Sequence, residues 1–249
     1  MFYFDPLEQF SIFVIIPIIF SKIDLSITNF TIFCFILFFM IYFIINHGLM
    51  NAKLISFSFQ AVVEMIFEFV PDLLKGSFSI KNANKYLPFI TTIFLFILFS
   101  NLIGMIPYSF TITSHLIVTF VFALIIFIYF TLLGLIKHKK EFFAHFFPEG
   151  SPLWLAPLLV VIELLSYLIR VISLSVRLFA NMMAGHTLFK ILATFGWILL
   201  NTKGILFFLS IAPVAILFLL TGLELGVACL QAYVFTVLTV IYIEEIYSH

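Results

Sequence analysis

The sequence predicts an all-α polytopic membrane protein. It has about five membrane-crossing helices, one amphipathic surface helix, and a long, strongly tilted hairpin formed by the last two helices. Three observations carry this. Of 249 residues, 64% are hydrophobic and only 10% are charged, with a mean hydropathy of +1.26. A soluble domain carries about a quarter charged residues, so this chain lacks the polar surface to cover a globule in water, and the bilayer must be its solvent. Apolar runs of spanning length recur along the chain, and the few charges inside them sit at helical spacing. The formal net charge is zero, which gives no reason to expect nucleic acid as a partner.

The elements follow in order. Leu25 to Asn46 is uncharged and makes a first span, 25–46. From Lys53 to Lys75, the polar residues Lys53, Ser56, Gln60, Glu64, Glu68, Asp72 and Lys75 recur every three or four positions with apolar residues between. That is the pattern of an amphipathic helix lying along the membrane surface, 53–75. Tyr86 to Ile136 contains no Asp, Glu, Lys or Arg and, at 51 residues, is too long for one crossing. It breaks at Pro107-Tyr108-Ser109, giving spans 86–107 and 116–136. The stretches 152–200 and 205–247 are again apolar, interrupted by Glu163, Arg170, Arg177, His186 and Lys190 in the first and Glu224 in the second. Asn201-Thr202-Lys203-Gly204 between them is good turn chemistry, so the two form a hairpin. No internal repeat or low-complexity linker is present, and one domain, 1–249, suffices.

Orientation follows from lysines near span ends. Lys53, Lys75, Lys81 and Lys85 lie in one connection and Lys137, Lys139 and Lys140 in another two spans later, so both are on the same side. The opposite side has Lys22 and Lys203. The lysine-rich side is the inner one, which puts the N-terminus outside and the C-terminus inside. Met1 to Phe10 holds Asp5 and Glu8 and no Arg, unlike an Arg-rich transit peptide. Either the chain is inserted from the compartment that makes it, or a presequence has been removed. Cys34 and Cys229 lie in apolar runs and read as two buried thiols, and Trp154 reads as an interface anchor.

One polar stripe stands out. Glu163, Ser166, Arg170, Ser173, Arg177 and Asn181 are spaced by three or four residues and share one side of a helix. Glu163 to Arg177 covers roughly 21 Å of axis, most of the hydrocarbon thickness. An arginine near the bilayer centre costs at least about 2.5–3.5 kcal/mol and by default marks an ion path. For Arg170 a structural ion pair with Glu163 is an equal alternative. That reading does not extend to Arg177, because its own helix has no carboxylate within two turns.

The next helix supplies Glu224 and Gln231 on one face. In an antiparallel hairpin, facing positions have a constant index sum. That sum is 408 for Arg177 with Gln231 and 410 for His186 with Glu224, and both values centre the hairpin at the 201–204 turn. Arg177 thus meets a neutral amide, which leaves its charge available to a carboxylate on another chain. His186 lies about 900° of rotation beyond Arg177 and points to the opposite side. Two polar regions result, an inner one at Glu163 and an outer one at His186 and Glu224, with Arg177 between them. His186 with Glu224 reads as a proton relay. No metal site or cofactor is expected: His47, His115, His138 and His145 have no zinc spacing, and phosphate-loop and nucleophile-elbow signatures are absent. A secondary transporter would show internal repeats. A purely structural subunit would leave the stripe and the shared register unexplained.

The segment Ser173-Leu-Ser-Val-Arg177-Leu-Phe-Ala-Asn181-Met-Met-Ala-Gly185-His186 resembles the central motif of subunit a of F-type ATP synthases. Glu224-Leu-Gly-Val-Ala-Cys-Leu-Gln231-Ala-Tyr-Val-Phe resembles that family's last-helix motif. Phe99-Ser-Asn-Leu-Ile-Gly-Met-Ile-Pro107-Tyr-Ser-Phe and Asp5-Pro-Leu-Glu-Gln-Phe resemble two more. The resemblance implies that Arg177 is the family's essential arginine facing a ring of c subunits with a membrane-embedded carboxylate. Asn181 and Gln231 match polar positions beside it, and Glu163 matches an acidic position of the inner half-channel. Arg170 occurs in only some members and takes no role from the family. His186 and Glu224 are exchanged relative to the bacterial form, as in mitochondrial members. The implied function is proton translocation coupled to ring rotation and ATP synthesis, with the ATP chemistry on other subunits. The implied location is the mitochondrial inner membrane, N-terminus in the intermembrane space and C-terminus in the matrix. The implied partners are the c-ring, other membrane and stator subunits, lipid and protons.

Overall fold

The computed structural model describes residues 7–20, 23–50, 53, 58–75, 80–106, 109–139, 156–202 and 209–247. Six helices lie among them: α1 Asn29–Met50, α2 Ser58–Lys75, α3 Ile80–Gly104, α4 Leu116–His138, α5 Ala156–Leu200 and α6 Ile211–Tyr247. Five of these, all but α2, contain a stretch long and apolar enough to cross a membrane. The chain is an all-α polytopic membrane protein. Lys22, Lys140, His145, Trp154, the Pro107-Tyr108 pair and the Lys203-Gly204 half of the hairpin turn lie outside the described residues.

The first helix starts at Asn29 rather than at Leu25, the start the sequence suggests. Before it, β1 Val14–Ile16 pairs with β4 Ile27–Thr28 and β2 Ile19–Phe20 with β3 Ile23–Asp24, all antiparallel, so the chain folds back on itself as one hairpin. The run is rich in β-branched Ile and Val, which favours strands. Thr28 and Thr31 then fix the helix start: each hydroxyl faces the other's backbone N–H, at 3.0 and 3.5 Å, in a reciprocal cap. The Asn29 side chain ties this start to the hairpin, accepting from Phe13 N and donating to Ser11 O.

Helix α3 is the centre of the bundle and the most buried of the crossings. Its Ile90, Ile93, Phe94 and Ile97 form the core with Val70 and Leu74 of α2, Ile126 and Phe130 of α4, Leu174 and Leu178 of α5 and Phe235 of α6. The long α5–α6 hairpin packs on α4 and α3 respectively. Thr236 and Thr239 of α6 are fully buried, and their hydroxyls donate to carbonyls of their own helix. Such back-bonding lets a hydroxyl sit at a dry helix contact. Leu37 of α1 joins Ile103 and Ile112 in a second, smaller cluster.

After α3 the chain bends back into the bundle. Ser109 Oγ lies 2.5 Å from Ile103 O and 2.7 Å from Ile106 O, so its one proton is shared between carbonyls freed at the helix end. Gly104 makes room for the return, since a Cβ there would lie 2.7 Å from Thr111 Cγ2. The 3-10 turn Ile112–Ser114 that follows is buried, as is Thr111 before it.

The two cysteines are not both buried, contrary to what their apolar runs suggest. Cys34 is half-buried, but Cys229 is exposed. It shares the outward side of α6 with Leu225 and Leu230. In lipid an apolar residue need not turn inward, so an apolar setting does not imply burial within the chain.

Candidate functional site

Helices α5 and α6 run antiparallel, and three close approaches fix their register. Gln231 Nε2 donates to the backbone carbonyl of Arg177 at 3.5 Å. A Cβ added to Gly185 would collide with the Glu224 carboxylate, and one added to Gly196 would lie 3.7 Å from Pro213 Cβ. The index sums are 408, 409 and 409. The Gln231 amide therefore holds the main chain of Arg177 and leaves the guanidinium to other partners. Gln231 itself is buried.

The polar stripe faces away from the bundle. Ser166, Ser173, Arg177 and Asn181 are exposed, and Glu163 and Arg170 are half-buried. The Arg177 guanidinium has no ion pair or hydrogen bond among the described residues. Arg170 is placed differently: its guanidinium lies over the Tyr242 ring, 5.6 Å from the centroid. Glu163 stands at the same end of the hairpin as Tyr242 and the half-buried Glu244. Beyond Arg177, α6 presents Gly222 and Gly226, and a Cβ built at either meets nothing within 4 Å.

His186 and Glu224 lie on another side, around a cavity of about 630 Å³. Glu224 is held against Gly185, and its Oε1 is buried without a hydrogen-bond partner. His186 Nε2 lies 3.4 Å from Thr111 Oγ1, and Phe10 approaches the ring edge-on at 6.4 Å between centroids. The two residues face a common space, and no direct bond joins them. A buried, unpartnered carboxyl oxygen beside a cavity and an imidazole is suited to taking up and passing on a proton. Lys190, Thr221, Ser109 and Gln9 complete the polar lining.

Reading the sequence singled out His186 and Glu224 but not Lys190 or Thr221. Helical spacing carries the signal, since Lys190 is four residues after His186 and Thr221 three before Glu224. Thr111 and Gln9 had no such signal, because they arrive from distant parts of the chain.

The Gly185 contact yields a prediction. Gly185→Ala drives the new methyl into the Glu224 carboxylate and destabilises the hairpin by about 1–3 kcal/mol. Gly196→Ala meets only ordinary packing and gains about 0.5–1 kcal/mol in helix preference. Thermal unfolding of both variants in detergent checks this; equal stability would remove any role for the close approach.

Fold and site together define a polytopic membrane protein whose long terminal hairpin carries ionisable groups through the bilayer, some turned outward and others around a cavity. The family model for the ATP synthase A chain matches residues 27–244. The chain is 47% identical over 242 residues to ATP synthase subunit a of Chondrus crispus, covering 97% of this chain and 95% of that one. Over 246 residues it is 46% identical to the Marchantia polymorpha protein of the same name, covering 97% of each chain. It is 45% identical to that of Brassica napus over 249 residues, covering 97% of this chain and 95% of the other. The chain belongs to the ATP synthase subunit a family. It is a membrane subunit in ATP synthesis and proton transport, associated with the other subunits of that complex.

Proposed function

We propose that the chain forms two proton half-paths separated by Arg177 and works against a rotating ring of c subunits. The observation that carries this is the outward exposure of Arg177 without an acidic mate among the described residues. A charge inside a bilayer ordinarily faces its own bundle or water and is paired. Arg177 does neither within this chain, so its partner is a carboxylate supplied in the membrane by a neighbouring subunit. Gly222 and Gly226 favour the same reading, since small residues on an open helix face let another helix approach closely.

A proton enters through the cavity at His186 and Glu224 and neutralises the ring carboxylate, which can then turn into lipid. After nearly a full rotation it is released into the inner half-path near Glu163. Arg177 holds the empty carboxylate and stops protons from running directly between the two regions. Each proton contributes about 2.3 kcal/mol per 100 mV. The membrane is the inner mitochondrial one, with the N-terminus in the intermembrane space and the C-terminus in the matrix. The lysine bias supports this orientation, and the His186 and Glu224 arrangement supports the mitochondrial assignment.

The contact is tested by cross-linking. Asn181→Cys, in a Cys229→Ala background, forms a disulfide with cysteines placed beside the ring carboxylate in the assembled enzyme. Asn181 is exposed one turn from Arg177. A cross-link confined to α1, with none at Asn181, would sink this reading.

A further inference from the structure

A buried polar chain crosses the molecule beside the cavity. Asn101 of α3 is fully buried, and its Nδ2 donates to Ala228 O of α6 at 3.3 Å. Its Oδ1 accepts from Thr113 Oγ1 at 3.0 Å. Thr113 belongs to the turn Ile112–Ser114, and Ser114 Oγ closes that turn by donating to Thr111 O at 2.7 Å. Thr111 Oγ1 then reaches His186 Nε2 of α5 at 3.4 Å. A run of polar contacts within one short turn thus joins both helices of the hairpin.

The attachment points lie at the site. Ala228 is four residues after Glu224 and three before Gln231, so a bond to its carbonyl sets the rotation and height of α6 between them. Thr111 sets the His186 ring at the other end. Glu224 Oε1 has no hydrogen-bond partner, so that oxygen makes no direct bond to His186.

We propose that Asn101, Thr111 and Thr113 are positioning residues. Together they form a brace that sets the spacing of His186 and Glu224 across the cavity and so governs the hand-over of protons between them. This deepens the proton-path reading and rests on it. A buried asparagine between membrane helices can also be plain assembly glue, and the two roles differ in what they move. Glue changes the amount of complex. A brace changes the rate and its dependence on outer pH at constant amount. Among the described residues, the titratable groups on the cavity are His186 and Lys190 of α5 and Glu224 of α6, while the 3-10 turn Glu8–Phe10 contributes the uncharged Gln9 and Phe10.

The experiment uses the whole ATP synthase in its membrane, driven by a proton gradient. Thr113→Val keeps the shape and removes the hydroxyl, and Thr113→Ser restores it. Thr113→Val leaves the amount of complex unchanged, lowers synthesis about tenfold and moves the outer pH of half-maximal rate; Thr113→Ser returns both to normal. Thr111→Val breaks the other end and gives the same behaviour if Thr113→Val fails to assemble. Unchanged rate and pH dependence in both valine variants overturn the brace. So does a loss that follows the amount of complex with an unmoved pH dependence, or a serine variant that fails to restore the rate. Arg177→Ala run in parallel separates the two ideas: an active Arg177→Ala enzyme sinks the proton path itself, whereas an inactive one beside normal valine variants sinks the brace alone.

Discussion

Arg177→Ala abolishes proton-driven ATP synthesis, lowering it by a factor of about 100 or more, while the subunit still assembles. The side chain is exposed and has no ion pair or hydrogen bond among the described residues. Its removal therefore takes no internal interaction away, and the fold changes by no more than about 0.5 kcal/mol. What is lost is the fixed positive charge that a passing carboxylate meets. Without it, an ionised carboxylate has no counter-charge between the two polar regions, and protons can cross without turning the ring. Passive proton conduction of the membranes should rise as synthesis falls. Arg177→Lys is not a conservative rescue: an ammonium keeps the charge but lacks the planar fork that meets a carboxylate with two bonds. Coupled synthesis near the normal rate in Arg177→Ala would end the motor reading.

Glu224→Gln is the second large effect. The substitution keeps the size of the side chain and removes its proton-binding capacity. General acid–base groups contribute about 10²–10⁴ in rate, and a relay step in a longer path should lose at least about tenfold. Glu224→Asp, shorter but still titratable, should retain more activity than Gln. Synthesis rates at several outer pH values separate the cases, because lowering the pH cannot restore a group that no longer binds a proton. A Gln variant as active as the native chain would remove Glu224 from the path. The amide also places a donor where Oε1 now has no partner, a cost of about 1–3 kcal/mol, so the amount of complex must be measured alongside.

Much of this is legible in the sequence. The crossings show because 20-residue apolar runs stand out against rare charges, and the hairpin register shows because two polar pairs share one centre. Other features were hidden for physical reasons. The N-terminal strands are apolar on both faces, from Phe13 to Ile19, so the alternation that marks a half-buried strand is missing. Cys229 illustrates the same limit, since in lipid both sides of a helix are apolar. The return of the chain after Gly104 depends on Ser109, Thr111, Thr113 and Asn101 meeting in space. Thr113 and Asn101 are only 12 apart in sequence, yet nothing in their spacing indicates that a turn buries both.

The length of α5 has one more consequence. Its 45 residues extend about 67 Å, against about 40–45 Å for a whole bilayer with headgroups. Held within the membrane, such a helix lies roughly 50° from the normal. The 23 residue steps from Glu163 to His186 then carry the chain about 26 Å sideways and about 22 Å in depth. Upright, the helix would stack the two polar regions one above the other, and a proton could descend a single shaft. Laid over, it displaces them along the membrane plane, the direction in which a neighbouring rotor sweeps. On the proposed reading, the slant of one unbroken helix is what turns a vertical gradient into a tangential push.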